Sequence, residues 1–475
     1  MPFTEPAFLF FFLPATLAAY FLFPERARNL LLTAASLLFY AVGEWRFVPW
    51  LLGSTMATYL VARGLEAWRG RPVTRALLAL GVVTDLGLLA WFKYAGFLAR
   101  AVDGLTGLLG APLLPAPTVL LPLGISFFTF HKISYKVDVY RGTAAVRKNP
   151  LDLLLYILFF PQLIAGPIVR YHDIADDLVR RHPRLADVAE GVRRFGVGLA
   201  KKMLVANTMA GVADVVFALE PARLSTPAAW VGIVCYTLQI YFDFSGYSDM
   251  AIGLARMFGF RFLENFDYPY TARSITDFWR RWHLSLSRWF RDYLYLPLGG
   301  NRSGPVRTYL NLGVVFLLCG LWHGASWTFV AWGAFHGALL ILERAGWGPR
   351  LQRLPAGLQH AQTLLLVMLG WVLFRADTLA HGGWYLRALA GFGANDGPFE
   401  TLSLLTPGVA LALTAGVVGS APTVGQLAQD WRKRLGARAE LVLGWAGNGA
   451  VLALLLLSVL QVASGTYNPF IYFRF

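Results

Sequence analysis

The amino-acid sequence predicts an all-α, polytopic membrane protein. Of its 475 residues 56% are hydrophobic and only 15% charged; a soluble chain of this length carries far more charge. Apolar runs long enough to cross roughly 30 Å of hydrocarbon recur from one end to the other. Lysine and arginine gather between those runs, as they do in loops that face anionic lipid. The net charge of +15, from 42 basic and 27 acidic residues, therefore points to membrane lipids as partners. No soluble basic module is present to carry nucleic acid, which that charge would suggest in a soluble protein.

Taken in order, the predicted spans cover residues 7–23, 29–43, 47–62, 76–98, 117–133, 194–219, 226–243, 306–323, 326–343, 361–376, 404–420 and 440–463, within one integral-membrane domain over 1–475. Met1–Pro6 is acidic and lacks the positive region of a cleaved signal, so the first span is expected to be retained. Arg26 and Arg28 follow the first span, Arg63, Arg69, Arg71 and Arg75 the third, and Lys132, Lys136, Arg141, Arg147 and Lys148 the fifth. The segments near Gly43–Arg46 and Asp103–Thr118 carry little charge. This alternation puts the N-terminus outside and the basic loops in the cytoplasm.

Two segments do not fit simple crossing. Residues 151–168 are apolar but contain Pro161 and Gly166-Pro167, which break a helix, and they sit between two basic segments expected on the same side of the membrane. A re-entrant or buried half-helix is expected there, since exposed backbone at membrane depth must be covered by protein or water. Residues 244–305 are too polar to span and too aromatic for a loose linker, and they read as short helices packed into the cytoplasmic half of the bundle. Cys235 and Cys319 sit in apolar runs as small core residues, without disulfide or metal spacing.

His323, in Gly320-Leu321-Trp322-His323-Gly324, is an ionisable group at membrane depth and hence a functional candidate. Desolvation there favours the neutral imidazole that a general base needs, while the bland alternative is a histidine satisfied by partners inside the bundle. If residues 276–291 form one helix, Trp279, His283, Leu286 and Phe290 share a stripe, and Asp277, Arg281 and Arg288 another. Such a helix could lie in the interface with its arginines toward headgroups, or its arginines could bind an anionic ligand. His336, flanked by Gly333 and Gly337, reads as packing; His131, His172, His182, His360 and His381 sit at loops or span ends. In Tyr241–Asp249 two carboxylates lie near hydroxyls at a span end, a pattern read as capping and hydrogen bonding to arginines rather than a serine nucleophile. No HExxH, CxxC, phosphate-loop or GxGxxG pattern occurs, so no metal, ATP or dinucleotide site is expected.

Several segments together resemble the membrane-bound O-acyltransferase family, in the bacterial branch that contains the alginate O-acetyltransferase membrane subunit. They are Pro122–Phe130 with Asp138–Gly142, Phe160-Pro161-Gln162 with Ala165-Gly166-Pro167, Asp243–Asp249, Asn265-Phe266 with Pro269-Tyr270, Asp277–Ser285, Leu321–Gly324 and the ending Phe470–Phe475. The resemblance runs nearly end to end and is densest over about residues 120–345. His131-Lys132 departs from the uncharged pair usual after the first motif.

The resemblance implies a ring of about eleven to thirteen transmembrane or re-entrant helices around a central tunnel. It implies an O-acetyltransferase of the bacterial inner membrane that takes acetyl from cytoplasmic acetyl-CoA toward an acceptor outside. The family's catalytic histidine maps onto His323 and its second polar position onto His283. Arg280, Arg281, Arg288 and Arg291 would suit the donor's phosphates. His323 would act as general base or carry the acetyl group, and His283 would hold the thioester carbonyl or protonate the departing thiol. An extracytoplasmic acetyl-accepting partner and then a polysaccharide such as alginate are the implied acceptors. The alternatives are D-alanyl transfer to teichoic acid on the same fold, a proton-coupled secondary transporter, and a non-catalytic scaffold for a polysaccharide synthase.

Overall fold

The computed structural model describes residues 2–107, 117, 119–394 and 398–465. Among them the chain is built of helices and their connections, with one isolated bridge between Ser225 and Ala394. The ending Phe470–Phe475 and most of the sparsely charged stretch before Thr118 lie outside the described residues. Two compact units form, Met1–Val192 with Ala251–Leu263, and Arg193–Met250 with Glu264–Phe475.

The first unit contains Leu13–Leu22 (α1), Arg28–Glu44 (α2), Val48–Ala67 (α3), Val73–Leu89 (α4), Ala95–Gly107 (α5), Ile125–Arg141 (α6), Pro150–Leu158 (α7), Phe160–Leu163 (α8) and Tyr171–Ile174 (α9). Glu44 leaves helical dihedrals and a 3-10 turn over Trp45–Phe47 separates α2 from α3, where the sequence predicts a connection. α6 begins after Gly124 at φ +77°, where a Cβ would overlap the carbonyl oxygen of Leu163. Only glycine fits that conformation and that approach. The expected buried half-helix is present: Phe159 breaks α7 from α8, and the Phe160 amide donates to Ser36 Oγ at 3.1 Å. The freed backbone is thus satisfied inside the protein, as membrane depth requires.

The structure corrects the reading of the fifth basic loop. Lys132 and Lys136 lie on α6, both about 1% exposed, and share the buried Asp85 of α4. Lys132 Nζ is 3.0 Å from Asp85 Oδ1, and Lys136 Nζ bonds the other oxygen and donates to the Gly81 carbonyl at 2.6 Å. These charges hold two apolar helices together and do not mark a loop. His131 is fully buried rather than at a loop. His172, outside the spans, is held by Asp138 Oδ2 at 2.9 Å, and that bond raises its pKa against the effect of burial.

The second unit is entered through Leu185–Ala200 (α10) and continues with Asn207–Phe217 (α11), Thr226–Met257 (α12), Ile275–Trp279 (α13), Leu284–Phe290 (α14), Gly304–His323 (α15), Trp327–Leu342 (α16), Gly348–Leu351 (α17), Ala356–Arg375 (α18), Leu379–Arg387 (α19), Pro398–Ser403 (α20), Pro407–Gly419 (α21) and Thr423–Ala463 (α22). α12 runs to Met257, so Tyr241–Asp249 lies mid-helix and not at a span end. Its carboxylates are paired, Asp243 with Lys202 at 2.6 Å and Asp249 with Arg194 and Lys201 at 2.7 Å each. Hydrogen bonding to basic groups holds; capping does not. The single helix considered for 276–291 is broken between α13 and α14, at His283.

Five helical stretches among the described residues are long and apolar enough to cross a membrane, Glu25–Ala67, Val73–Gly104, Gly304–His323, Ala356–Arg375 and Val442–Ala463. A sixth is the pair Pro407–Gly419 and Thr423–Trp431, bent by 66°. Large apolar side chains on the helices face outward, Leu22 at 83% exposure and Leu411 at 73%, while charged pairs sit inside. That inversion is the solution a lipid solvent selects. The chain is an all-α, multi-pass membrane protein.

Replacing Asp85 with Asn leaves two buried ammonium groups without their counter-charge. D85N is expected to lose about 3–5 kcal/mol of stability, measured as a fall in the unfolding midpoint of the purified protein in detergent. D85E should retain most of it; equal midpoints for wild type and D85N would show that the triad does not bear on stability.

Candidate functional site

α15 and α16 form a close hairpin because small residues line their crossing. A Cβ on Gly320 would overlap the Phe329 carbonyl, and one on Gly333 the Phe316 carbonyl. Close backbone approach of this kind is how helices associate where water supplies no hydrophobic drive. α15 ends at His323, because Gly324 turns extended and a side chain there would run into the Phe329 ring. The His323 ring is consequently delivered into an aromatic box, with centroids of Trp322, Trp332 and Phe374 at 4.9, 5.1 and 5.1 Å.

His283 reaches the same place from a different element. Its centroid lies 6.5 Å from that of His323, with the Phe244 ring edge-on at 4.6 Å. The residue is fully buried and adopts φ +45°, ψ +54°, the left-handed conformation that costs an L-residue about 1–2 kcal/mol. Backbone pairing enforces it: Leu284 N–H donates to the Asn265 carbonyl and Asp267 N–H to the Arg281 carbonyl, both at 2.9 Å.

The side chain of Asn265 completes the clamp. Its Oδ1 accepts from Ser285 N–H at 3.2 Å, Ser285 Oγ at 2.8 Å and His283 Nδ1 at 3.1 Å, while Nδ2 donates to Ser248 Oγ of α12 at 3.0 Å. The Ser285 amide can only donate, so the oxygen of Asn265 is the atom that faces it. His283 Nδ1 must then carry the proton, and Nε2 is left as an acceptor. Nε2 is buried with no hydrogen-bond partner among the described residues. Burial, with His323 beside it, pushes the His283 pKa down. The site thus presents a neutral ring with a bare nitrogen next to a second ring. The two are too far apart for a direct hydrogen bond, yet one small group between them could touch both.

Of the four arginines singled out from the sequence, the structure separates one from the rest. Arg281 is bound to Asp277 at 2.9 Å and Asp267 at 3.5 Å, and the exposed Arg291 to the neighbouring Asp292 at 2.7 Å. Arg288 is half-buried on α14. Arg280 lines a cleft of about 510 Å³ with Arg273 and Arg344, two arginines the sequence reading did not select. One wall of that cleft is fixed by Glu343, which accepts the amides of Ile275 and Thr276 at 2.6 and 2.9 Å and so anchors the start of α13. His336 is fully buried against Trp279 and Trp332, at 5.2 and 5.1 Å, as the packing reading expects. Asn265, Ser285 and Ser248 lie in the recognised motifs, but nothing in their spacing singles them out as the support of His283.

Comparison with known proteins agrees with these motifs. Residues 116–356 match the family described as MBOAT, membrane-bound O-acyltransferase family. The chain is 42% identical to the probable alginate O-acetylase AlgI of Pseudomonas putida over the full length of both proteins. It is 37% identical to the peptidoglycan O-acetyltransferase of Helicobacter pylori, across 82% of this chain and 80% of that one. Similarity to the teichoic acid D-alanyltransferase of Bacillus subtilis is lower, 28% over 56% of this chain and 72% of that protein.

The left-handed backbone at residue 283 generates a stability prediction. H283G should unfold about 1 kcal/mol later than H283A, because glycine adopts that conformation without a Cβ penalty. Thermal or denaturant unfolding of the two variants checks it; a more stable alanine variant would mean that the loop relaxes once the ring is gone.

Proposed function

The chain belongs to the membrane-bound O-acyltransferase family and is an O-acyltransferase, and from that premise we propose that it transfers an acetyl group from cytoplasmic acetyl-CoA, across the bacterial inner membrane, toward an extracytoplasmic acceptor. The acceptor proposed is a partner protein that passes the group to an exopolysaccharide such as alginate. Full-length similarity to an alginate O-acetylase favours acetyl over D-alanyl as the group moved, since the D-alanyltransferase relative is matched over barely half of this chain.

The observation that carries the mechanism is the pair of rings 6.5 Å apart, one of them clamped through Nδ1 with its other nitrogen bare. In the transfer, the thioester C–S bond breaks, an ester C–O bond forms, and the acceptor's hydroxyl proton ends on the departing thiolate. His323 either takes that proton as general base or forms an N-acyl bond as the thiolate leaves, then yields the acyl group to the hydroxyl. Both routes conserve atoms and charge, and neither requires ATP, because a thioester is the more activated ester.

The clamp bears on His283. A neutral ring whose Nε2 is an acceptor cannot donate to a thioester carbonyl, so holding that carbonyl would require the imidazolium. Burial disfavours the charged ring. We therefore assign His283 to transient proton transfer: Nε2 takes the hydroxyl proton relayed from His323 and gives it to the departing thiolate, so the charged ring is short-lived and does not persist in the resting site. The Arg280 cleft supports an anchoring role for the donor's phosphates, since guanidinium groups match phosphate oxygens in pairs.

H323A is expected to abolish ester formation while the protein still inserts and accumulates. Ester content of the surface glycan, measured by mass spectrometry against the wild-type strain, decides the matter; wild-type content would remove the catalytic role. R280E is expected to weaken acetyl-CoA binding by about tenfold, an effect that shrinks at high salt. R281E should cost less, because its partner carboxylates already neutralise that guanidinium. Equal affinities for wild type and R280E would assign the cleft to something other than the donor.

A further inference from the structure

The first unit, which carries neither His283 nor His323, holds a second basic cleft of about 500 Å³. It lies where the α1–α2 connection, the turn before α7 and the segment after α9 come together. Arg26, Arg28, Arg147, Lys148, Arg180 and Arg181 line it, with Glu25 and Asp152 as the carboxylates. Glu25 engages Arg28 at 3.3 Å, and Asp152 accepts from the Asn29 amide at 2.8 Å. Six cations against two carboxylates leave a surplus of positive charge that the cleft itself does not cancel.

The deeper arginines are placed largely by neutral groups. Arg147 donates to the Ala175 carbonyl at 2.7 Å; Arg181 donates to Tyr20 Oη at 3.0 Å and the Asp177 carbonyl at 3.1 Å, and stacks on the Phe260 ring at 4.4 Å. Arg28 lies over the Tyr20 ring at 5.0 Å. These contacts orient guanidinium groups without discharging them. Arg28 Nε and Arg181 Nη2 are buried with no hydrogen-bond partner among the described residues. Arg26, Lys148 and Arg180 stand exposed at its rim.

The flanks are apolar. Leu22 and Leu30, on the helices that lead into and out of the α1–α2 connection, and Phe23 at its start are exposed, as is Val179 beside Arg180. A surface that offers guanidinium groups at one level and bare apolar side chains next to it fits a ligand with an anionic head and hydrocarbon tails. We propose that this cleft is a binding site for the phosphate headgroup of an anionic phospholipid, whose acyl chains lie along α1 and α2. The lipid's phosphate oxygens would pair with the exposed Arg26, Lys148 and Arg180, with the positive charge of Arg28, Arg147 and Arg181 behind them.

The test uses the full chain, purified in detergent and examined by native mass spectrometry with phosphatidylglycerol or phosphatidylcholine of the same acyl length. Preferential retention of phosphatidylglycerol is expected. The rim variant R26Q/K148Q/R180Q, chosen because these side chains are exposed, should lose affinity by about fivefold for each charge removed. R26K/R180K should restore retention, which separates charge from folding. Equal retention of the two lipids, or retention by the rim variant at the wild-type level, would overturn the proposal. Displacement of the bound lipid by micromolar coenzyme A would overturn it as well, reassigning the cleft to a soluble phosphate compound.

Discussion

One buried carboxamide holds the candidate site together. Asn265 accepts three hydrogen bonds on its oxygen and donates one from its nitrogen, tying His283, Ser285 and Ser248 to a single point. A polar atom left unbonded in a dry interior costs about 1–3 kcal/mol. The side-chain bonds decide which ring nitrogen is bare, while the backbone pairing beside them holds His283 in a left-handed conformation it would not adopt alone. Ring position and tautomer thus follow from one side chain, and the strain from the backbone pairing around it. Residues over-determined in this way are where strained backbone persists, and such sites are disproportionately functional.

Elsewhere in the chain the helices answer to a lipid solvent, in which a buried charge needs a protein partner. Asp85 binds two lysines, Asp243 binds Lys202, and Glu343 binds the first amides of α13. These buried ions act as fasteners between particular helices rather than as loop markers. Where cations outnumber carboxylates, as in the cleft lined by Arg26, Arg147, Lys148 and Arg180, the surplus charge points to an anionic ligand.

Much of this was legible in the sequence where the signal was local. The hairpin of α15 and α16 falls almost where the apolar runs 306–323 and 326–343 place it, and His323 emerges at its tip because Gly324 ends the helix. The buried half-helix at 151–168 was legible from Pro161. Lys132 and Lys136 were not: a lysine after an apolar run looks like a cytoplasmic loop unless the partner Asp85, some fifty residues earlier, is known to lie alongside. The arginines around His283 posed the same difficulty, since a helix-stripe reading cannot anticipate that the chain breaks at His283 itself.

What the sequence by itself determined was the solvent and the cast: an all-α chain for a bilayer, membership of an acyltransferase family, and two histidines to watch. Composition and short motifs suffice for that, because burial in lipid and helix termination depend on residues near one another in the chain. The tertiary structure alone decided that His283 and His323 share an aromatic box, that Nε2 of His283 is the free nitrogen, and that Arg280 lines a cleft while Arg281 and Arg291 are ion-paired. Those outcomes depend on hydrogen bonds and ion pairs between residues distant in sequence, whose partners no periodicity encodes.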